Sequence, residues 1–384
     1  MKLNRFRMLS LVLVSCAGLL ASCSTPADSS SSASESTGAA DSTGSASSSQ
    51  SNSGVVNVYM PSPAGLQTKI EKGFEAAYQG IDMKVTSGTT GELLAKIEAE
   101  KNNPVCDVLI LASWSDGLAC LNKYNLTAYE PKDSDKLDAR FKEDSHKIYG
   151  TSASSVGVMY NTDFIDKDKI TKLNWSDFGN ADKLKEITKG SQAGKMARAI
   201  IPDPTKSGAA KDFFAGMLTT EYPDSDFTKA DDKAYDLIQA WATTGDVKNA
   251  GGNKTAIAMV ENGTKDILLA GVDYNAYTDR SKKHVDIYFP EGGTVANARP
   301  AMIMASGKNQ DNAKKVMDYL CSTEAQQLVA DAYLLPGRTD VAAKSDRVSL
   351  ADTKEFANLD WNKMAQNGSN IAKTIVSIIK SESK

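Results

Sequence analysis

From Val55 onward the chain alternates short apolar runs with amphipathic stretches. VVNVYM (55–60) reads as a strand, and GLQTKIEKGFEAAY follows with Leu66, Ile70 and Phe74 at four-residue spacing, the stripe of a helix with one buried face. IDMKVTS predicts a second strand, ELLAKIEAEK a helix and CDVLILA a third strand. A second series begins at SSVGVMYNT (154–162), where ARAIIPDP reads as a strand, AAKDFFAGML and DDKAYDLIQAWATT as helices and KDILLAGVDY as a strand. KHVDIYFPEGGTVANARPAMIMA is extended chain returning toward the first series. NAKKVMDYLCSTEAQQLVADAY is a helix pair divided near Ser322 and Thr323, with Gln326 three residues after Thr323 as a capping signal. Strands alternating with helices predict an α/β fold with parallel, doubly wound sheets.

Ahead of Val55 the pattern changes. Lys2, Arg5 and Arg7 precede an apolar run too short for a comfortable membrane span, and Leu-Ala-Ser-Cys follows. Residues 1–22 therefore read as an export signal, and this ending resembles a bacterial lipoprotein box with Cys23 as the lipidated residue. Residues 23–54 are almost entirely Ser, Ala, Thr, Gly and Asp, which bury nothing and predict a flexible tether of about 30 Å root-mean-square span. The remaining stretch of roughly 330 residues exceeds what one core usually serves. It predicts two lobes joined by a hinge, the first from about 55–153 plus 290–384 and the second from about 154–289.

Loss of the signal removes three basic and no acidic residues, taking the formal charge from −4 to −7. With Lys and Arg dispersed among acids, nothing points to nucleic acid. Beyond Cys16 and Cys23 only Cys106, Cys120 and Cys321 remain, an odd trio that reads as buried thiols, with Cys106 and Cys120 the nearest pair for a single disulfide.

Candidate chemistry lies at two turns. Ser87, Gly88, Thr89, Thr90 and Gly91 separate a strand from a helix, and Thr89 with Glu92 is a capping-box pattern. Thr205, Lys206, Ser207 and Gly208 form a second hydroxyl-rich helix start, in the other predicted lobe. Such starts offer free backbone N–H groups and a positive dipole end, so one from each lobe would suit a cleft closing on an anion. Only two histidines, His146 and His284, are present, without a patterned carboxylate partner. G-x-S-x-G, G-x-x-x-x-G-K-[ST] and G-x-G-x-x-G are all absent, leaving a secreted hydrolase little material. An adhesin or spacer lipoprotein would need only the Ser-rich tether.

SGTTGELLAKIEAEKNNPVCDVLI, IPDPTKSGAAKDFFAG, LLAGVDYNAY, YFPEGGTV and NAKKVMDYLCSTEAQQLVADAYLLPGRTDV follow the order seen in solute-binding proteins of ATP-driven importers. They resemble the branch holding ferric-ion, phosphonate, sugar-phosphate and thiamine binders. The resemblance, over residues 55 to 345, implies a two-lobed type II periplasmic-binding fold, no enzymatic activity and no cofactor. It implies a monomer on the outer face of the cell membrane that works with an ABC permease and ATPase. For an anionic solute such as a phosphonate or organic phosphate, it implies contacts from Ser62, Ser87, Thr89, Thr90, Ser154, Thr205, Ser207 and Gly208. Trp114 would pack on the organic part, Asp273 would accept from an amine or hydroxyl, and Tyr274 would close one wall. The ferric alternative fits less well. Pro63 stands where that branch often has a histidine, Ala112 or Ser113 near its acidic ligand, and its tyrosine pair becomes Asp273-Tyr274, leaving Tyr274 and Tyr277.

Overall fold

The computed structural model describes residues 54–380. The chain opens β1 (Gly54–Met60), α1 (Ala64–Ala77), β2 (Ile81–Ser87), α2 (Thr90–Ala99), β3 (Val108–Ile110), α3 (Trp114–Lys123) and β4 (Leu126–Thr127). The long strand β5 (Tyr149–Asn161) leads through α4 (Lys167–Ile170) and α5 (Ala181–Glu186) to β6 (Ala199–Ile201), α6 (Gly208–Glu221), α7 (Asp236–Thr243) and β7 (Lys248–Asn249). Next come α8 (Asn253–Glu261), β8 (Ile267–Val272), α9 (Asp273–Lys283), β9 (Val285–Tyr288) and β10 (Ala296–Met304). α10 (Gln310–Cys321), α11 (Thr323–Asp331), β11 (Leu335–Pro336) and α12 (Trp361–Ile378) complete the order.

The strands run β2-β1-β3-β10-β5-β8-β6-β7, with β4, β9 and β11 paired at the sides. Pairing is parallel for β2-β1-β3 and for β8-β6-β7, as βαβ crossovers require. It turns antiparallel where these halves join: β10 pairs antiparallel with both β3 and β5, and β5 with β8 and β9. The sheet is therefore mixed, not the all-parallel arrangement that alternation predicts, because an extended return strand does not reveal its direction in its composition. All of β5 is buried. Its first part, through Ser155, pairs with β10 and β11, and from Val156 it pairs with β8 and β9.

The apolar interior follows this division. Val56, Val58, Ile70, Phe74 and Val108 cluster on one side of the first half, and Leu93, Leu109, Trp114 and Met302 on the other. The second half is built on Phe178, Phe213, Phe214, Trp241 and Ile267. α12, assigned by the sequence reading to the first lobe with the rest of 290–384, buries Met364, Ile371 and Ile375 in that second cluster, and packs on both α6 and α3. α11 is capped by Ser322, which accepts from the Ala325 N–H at 3.2 Å, and not by Thr323, which already lies inside the helix. Cys106, Cys120 and Cys321 are free and buried. Residues 1–22, most of the tether and Cys23 lie outside the described residues. No described helix is long and apolar enough to cross a membrane.

Ile371 is fully enclosed, so Ile371→Ala should cost about 2–5 kcal/mol of unfolding free energy. Urea unfolding of the two proteins measures it; a loss below about 1 kcal/mol would show that α12 is not part of the second core.

Candidate functional site

The two hydroxyl-rich helix starts meet. The Gly91 N–H donates to the Lys206 carbonyl at 3.3 Å. A Cβ at Gly91 would stand 2.6 Å from the Thr205 carbonyl oxygen, and one at Gly208 would stand 2.7 Å from Thr90 Oγ1, so only glycine allows this approach. The hydroxyls are engaged locally. Thr89 and Glu92 form the expected capping box, worth about 1 kcal/mol at such a terminus. Thr90 Oγ1 accepts from the Ala112 N–H at 3.0 Å, Ser207 Oγ from the Ala210 N–H at 3.3 Å, and Thr205 Oγ1 donates to Asp203 at 2.5 Å. Ser87 Oγ and the Ser62 carbonyl share one donor, Gln67 Nε2, at 2.9 and 2.7 Å.

Beside this contact, α3 and α6 share a buried polar cluster. Asp212 accepts from Ser113 Oγ at 2.9 Å, from the Ser115 N–H at 3.3 Å and from Ser115 Oγ. Lys211 pairs with Asp116. Burial pushes the Asp212 carboxyl up to about 6, against the pull of the Lys211 charge.

A third group assembles at the strand crossing. The register sets Val272 opposite Val156 and Asn297 opposite Ser154. Asp273, the first residue of α9, therefore enters beside Ser155. Upstream of it the β5–β8 register shifts, and Ala270 takes a left-handed φ of 58°, a strained backbone that bends the end of β8. Asp273 pairs with Arg347 at 2.5 Å with both side chains fully buried, and burial raises its carboxyl to about 6 despite that cation. Arg299 on β10 is 2% exposed, donates through Nη1 to the Pro61 carbonyl at 3.2 Å, and sets its guanidinium 5.5 Å from the Tyr274 ring centre. Asn297 Oδ1 accepts from the Trp114 N–H at 3.1 Å. Asp273 Oδ1, Asn297 Nδ2 and Arg299 Nε are buried with no hydrogen-bond partner.

Asp273, Tyr274 and Ser154 thus come together at the crossing, and Thr89, Thr90, Thr205, Ser207 and Gly208 at the neighbouring helix starts. The Trp114 side chain points into a different cavity of about 150 Å³ with Phe141, Leu350 and Trp361. Tyr277 OH accepts from the Val348 N–H at 3.2 Å, and its ring stacks on Tyr333. The sequence reading missed Asn297, Arg299 and Arg347. The first two carried a signal, polar residues alternating with Ala296 and Ala298 in a strand, whereas Arg347 lies in a segment without periodicity.

A sequence profile of a family described as bacterial extracellular solute-binding protein matches residues 69–358. A probable ABC transporter periplasmic-binding protein, y4fP, of Sinorhizobium fredii is 23% identical over 314 residues, 81% of this chain and 82% of the relative. Among solved structures, the periplasmic binding protein AfuA from Actinobacillus pleuropneumoniae, with fructose-6-phosphate bound, superposes with a TM-score of 0.68 at 20% identity, over 84% of this chain and 96% of that one. Iron-bound HitA from Pseudomonas aeruginosa gives 0.68 at 19% identity, over 84% and 99%. These likenesses show the type II periplasmic-binding fold.

The raised Asp212 carboxyl generates a pH prediction. Because its folded value lies above the ordinary carboxylate range, the native state holds this proton more tightly than the unfolded chain, and stability falls as pH rises from about 4 to 6. Its contribution is roughly 3 kcal/mol by the usual conversion. Asp212→Asn should flatten that part of the urea-stability profile between pH 4 and 7, and a profile parallel to wild type would contradict the assignment.

Proposed function

We propose, since the chain belongs to the bacterial extracellular solute-binding protein family, that it captures a small anionic solute, a phosphonate or phosphorylated organic compound, and delivers it to an ABC importer. Proteins of this family bind solutes for transport and act outside the cytoplasm, and those of ABC importers work with a permease and an ATPase. Cys23 would carry the lipid anchor, residues 24–54 the tether, and the two halves joined at β5 and β10 would be the closing lobes.

The observation that carries the anion reading is the chain of four helix starts: those of α2, α3 and α6 meet, the first N–H of α3 reaches Asn297 on β10, and α9 begins at the strand crossing. Each brings the positive end of its dipole, and Arg299 adds a buried full charge. The Gly91 N–H, held across the halves by the Lys206 carbonyl, becomes available when they separate, and Tyr274 walls the site. A guanidinium on the Tyr274 ring face repels a ferric ion at the same place, which favours the organic anion over iron. Closure selects the liganded form, and release follows when ATP hydrolysis opens the partner permease.

The full-length chain, stripped of ligand, should be stabilised by about 2.7 kcal/mol at a hundredfold excess of its solute over Kd. A thermal-shift screen against phosphate, 2-aminoethylphosphonate, hexose phosphates, thiamine and ferric citrate tests this. A shift with a phosphoryl or phosphonate compound supports the reading. A shift confined to ferric citrate, with a tyrosinate-to-iron absorption band, overturns it.

A further inference from the structure

The three partnerless polar atoms at the strand crossing are chemically complementary. A buried polar group without a partner is costly, and more so where it is charged. Five such side-chain atoms occur among the described residues. Those of Thr220 and Asn253 stand apart, in the last turn of α6 and at the start of α8. The other three fall within one neighbourhood. Asn297 and Arg299 are two residues apart on β10, so their side chains leave the same face of the strand. Arg299 lies against Tyr274, the chain neighbour of Asp273. Two of the atoms, Asn297 Nδ2 and Arg299 Nε, are donors only, and the third, Asp273 Oδ1, is an acceptor.

Each of these side chains is otherwise held. Arg299 Nη1 is committed to the Pro61 carbonyl, Asn297 Oδ1 to the Trp114 N–H and Asp273 Oδ2 to Arg347. What remains is two donors and one acceptor oxygen, the last on a carboxylate that the Ser155 and Tyr274 backbone N–H groups also favour in its charged form. The hydroxyls at the helix starts, by contrast, already have partners within the protein.

Resting on the receptor reading above, we propose that Arg299 and Asn297 are the specificity-determining donors to the solute's oxyanion, and that Asp273 Oδ1 accepts from a hydroxyl or ammonium group of the same solute. The preferred ligand is then an oxyanion bearing a hydrogen-bond donor, and a simple alkyl oxyanion is a poor substitute. A hydrogen bond to a charged group contributes about 1.5–3 kcal/mol, so each contact corresponds to a tenfold or larger change in Kd.

Titration calorimetry on the full-length, ligand-stripped chain tests this with four probes: inorganic phosphate, ethylphosphonate, 2-aminoethylphosphonate and glucose-6-phosphate. Wild type should bind at least one donor-bearing oxyanion tenfold or more tightly than ethylphosphonate. This comparison examines Asp273 without mutating it, since Asp273→Asn would strand Arg347 and could unfold the protein. Arg299→Lys keeps the charge and lacks the Nε donor, and with Arg299→Gln it should weaken every bound oxyanion at least tenfold while the unliganded melting temperature stays cooperative. Oxyanion binding within twofold of wild type in Arg299→Lys and Arg299→Gln, but lost in Ser207→Ala, would overturn the assignment and leave the receptor reading standing. Wild-type binding of thiamine or ferric citrate with none of the oxyanions would overturn both.

Discussion

Every peptide group along β5 is enclosed by protein, so each must find its hydrogen-bond partner inside the fold. The strand meets this demand by exchanging partners midway, β10 and β11 up to Ser155 and β8 and β9 from Val156. That exchange decides where everything else can be. It places Asp273 next to Ser155, because Val272 must face Val156, and it places Asn297 opposite Ser154. A register slip of one residue would send Asn297 and Arg299 to the opposite face of the sheet. The placement of these side chains therefore follows from ladder pairing.

A second constraint acts between helices. The Lys211–Asp116 pair and the Asp212 carboxyl are poor sources of stability, since taking charges out of water costs about as much as their attraction returns. Their effect is geometric. Ser113, Ser115 and Asp116 can be satisfied together by Lys211 and Asp212 in only one juxtaposition of α3 and α6. The absence of side chains at Gly91 and Gly208 lets the same two halves come into backbone contact. Shape and polarity thus specify one docking of the halves.

Much of this was legible in the sequence. Four-residue spacing of Leu66, Ile70 and Phe74 marked α1 within a residue at each end, and Thr89 with Glu92 announced the start of α2. Other elements were hidden for physical reasons. The apolar run in ARPAMIMA shows a buried strand but not its direction. α12 went unread although Met364, Ile371 and Ile375 follow helical spacing on one face. At the site, Asp273 and Tyr274 were found through family resemblance. Arg299 and Asn297 were overlooked because a polar residue in a strand ordinarily faces solvent, and only tertiary structure shows that both are buried.

The packing of α12 also bears on the order in which the molecule can assemble. About 140 residues separate α6 from α12 along the chain, so the core holding Phe213 and Trp241 lacks one wall until residues near 371 have been synthesised. Contacts that distant in sequence form late, after a large loop has closed. A nascent chain would thus remain loosely packed through most of its translation, a state that a translocation channel can thread, and a product cut short before α12 would expose apolar surface to proteases.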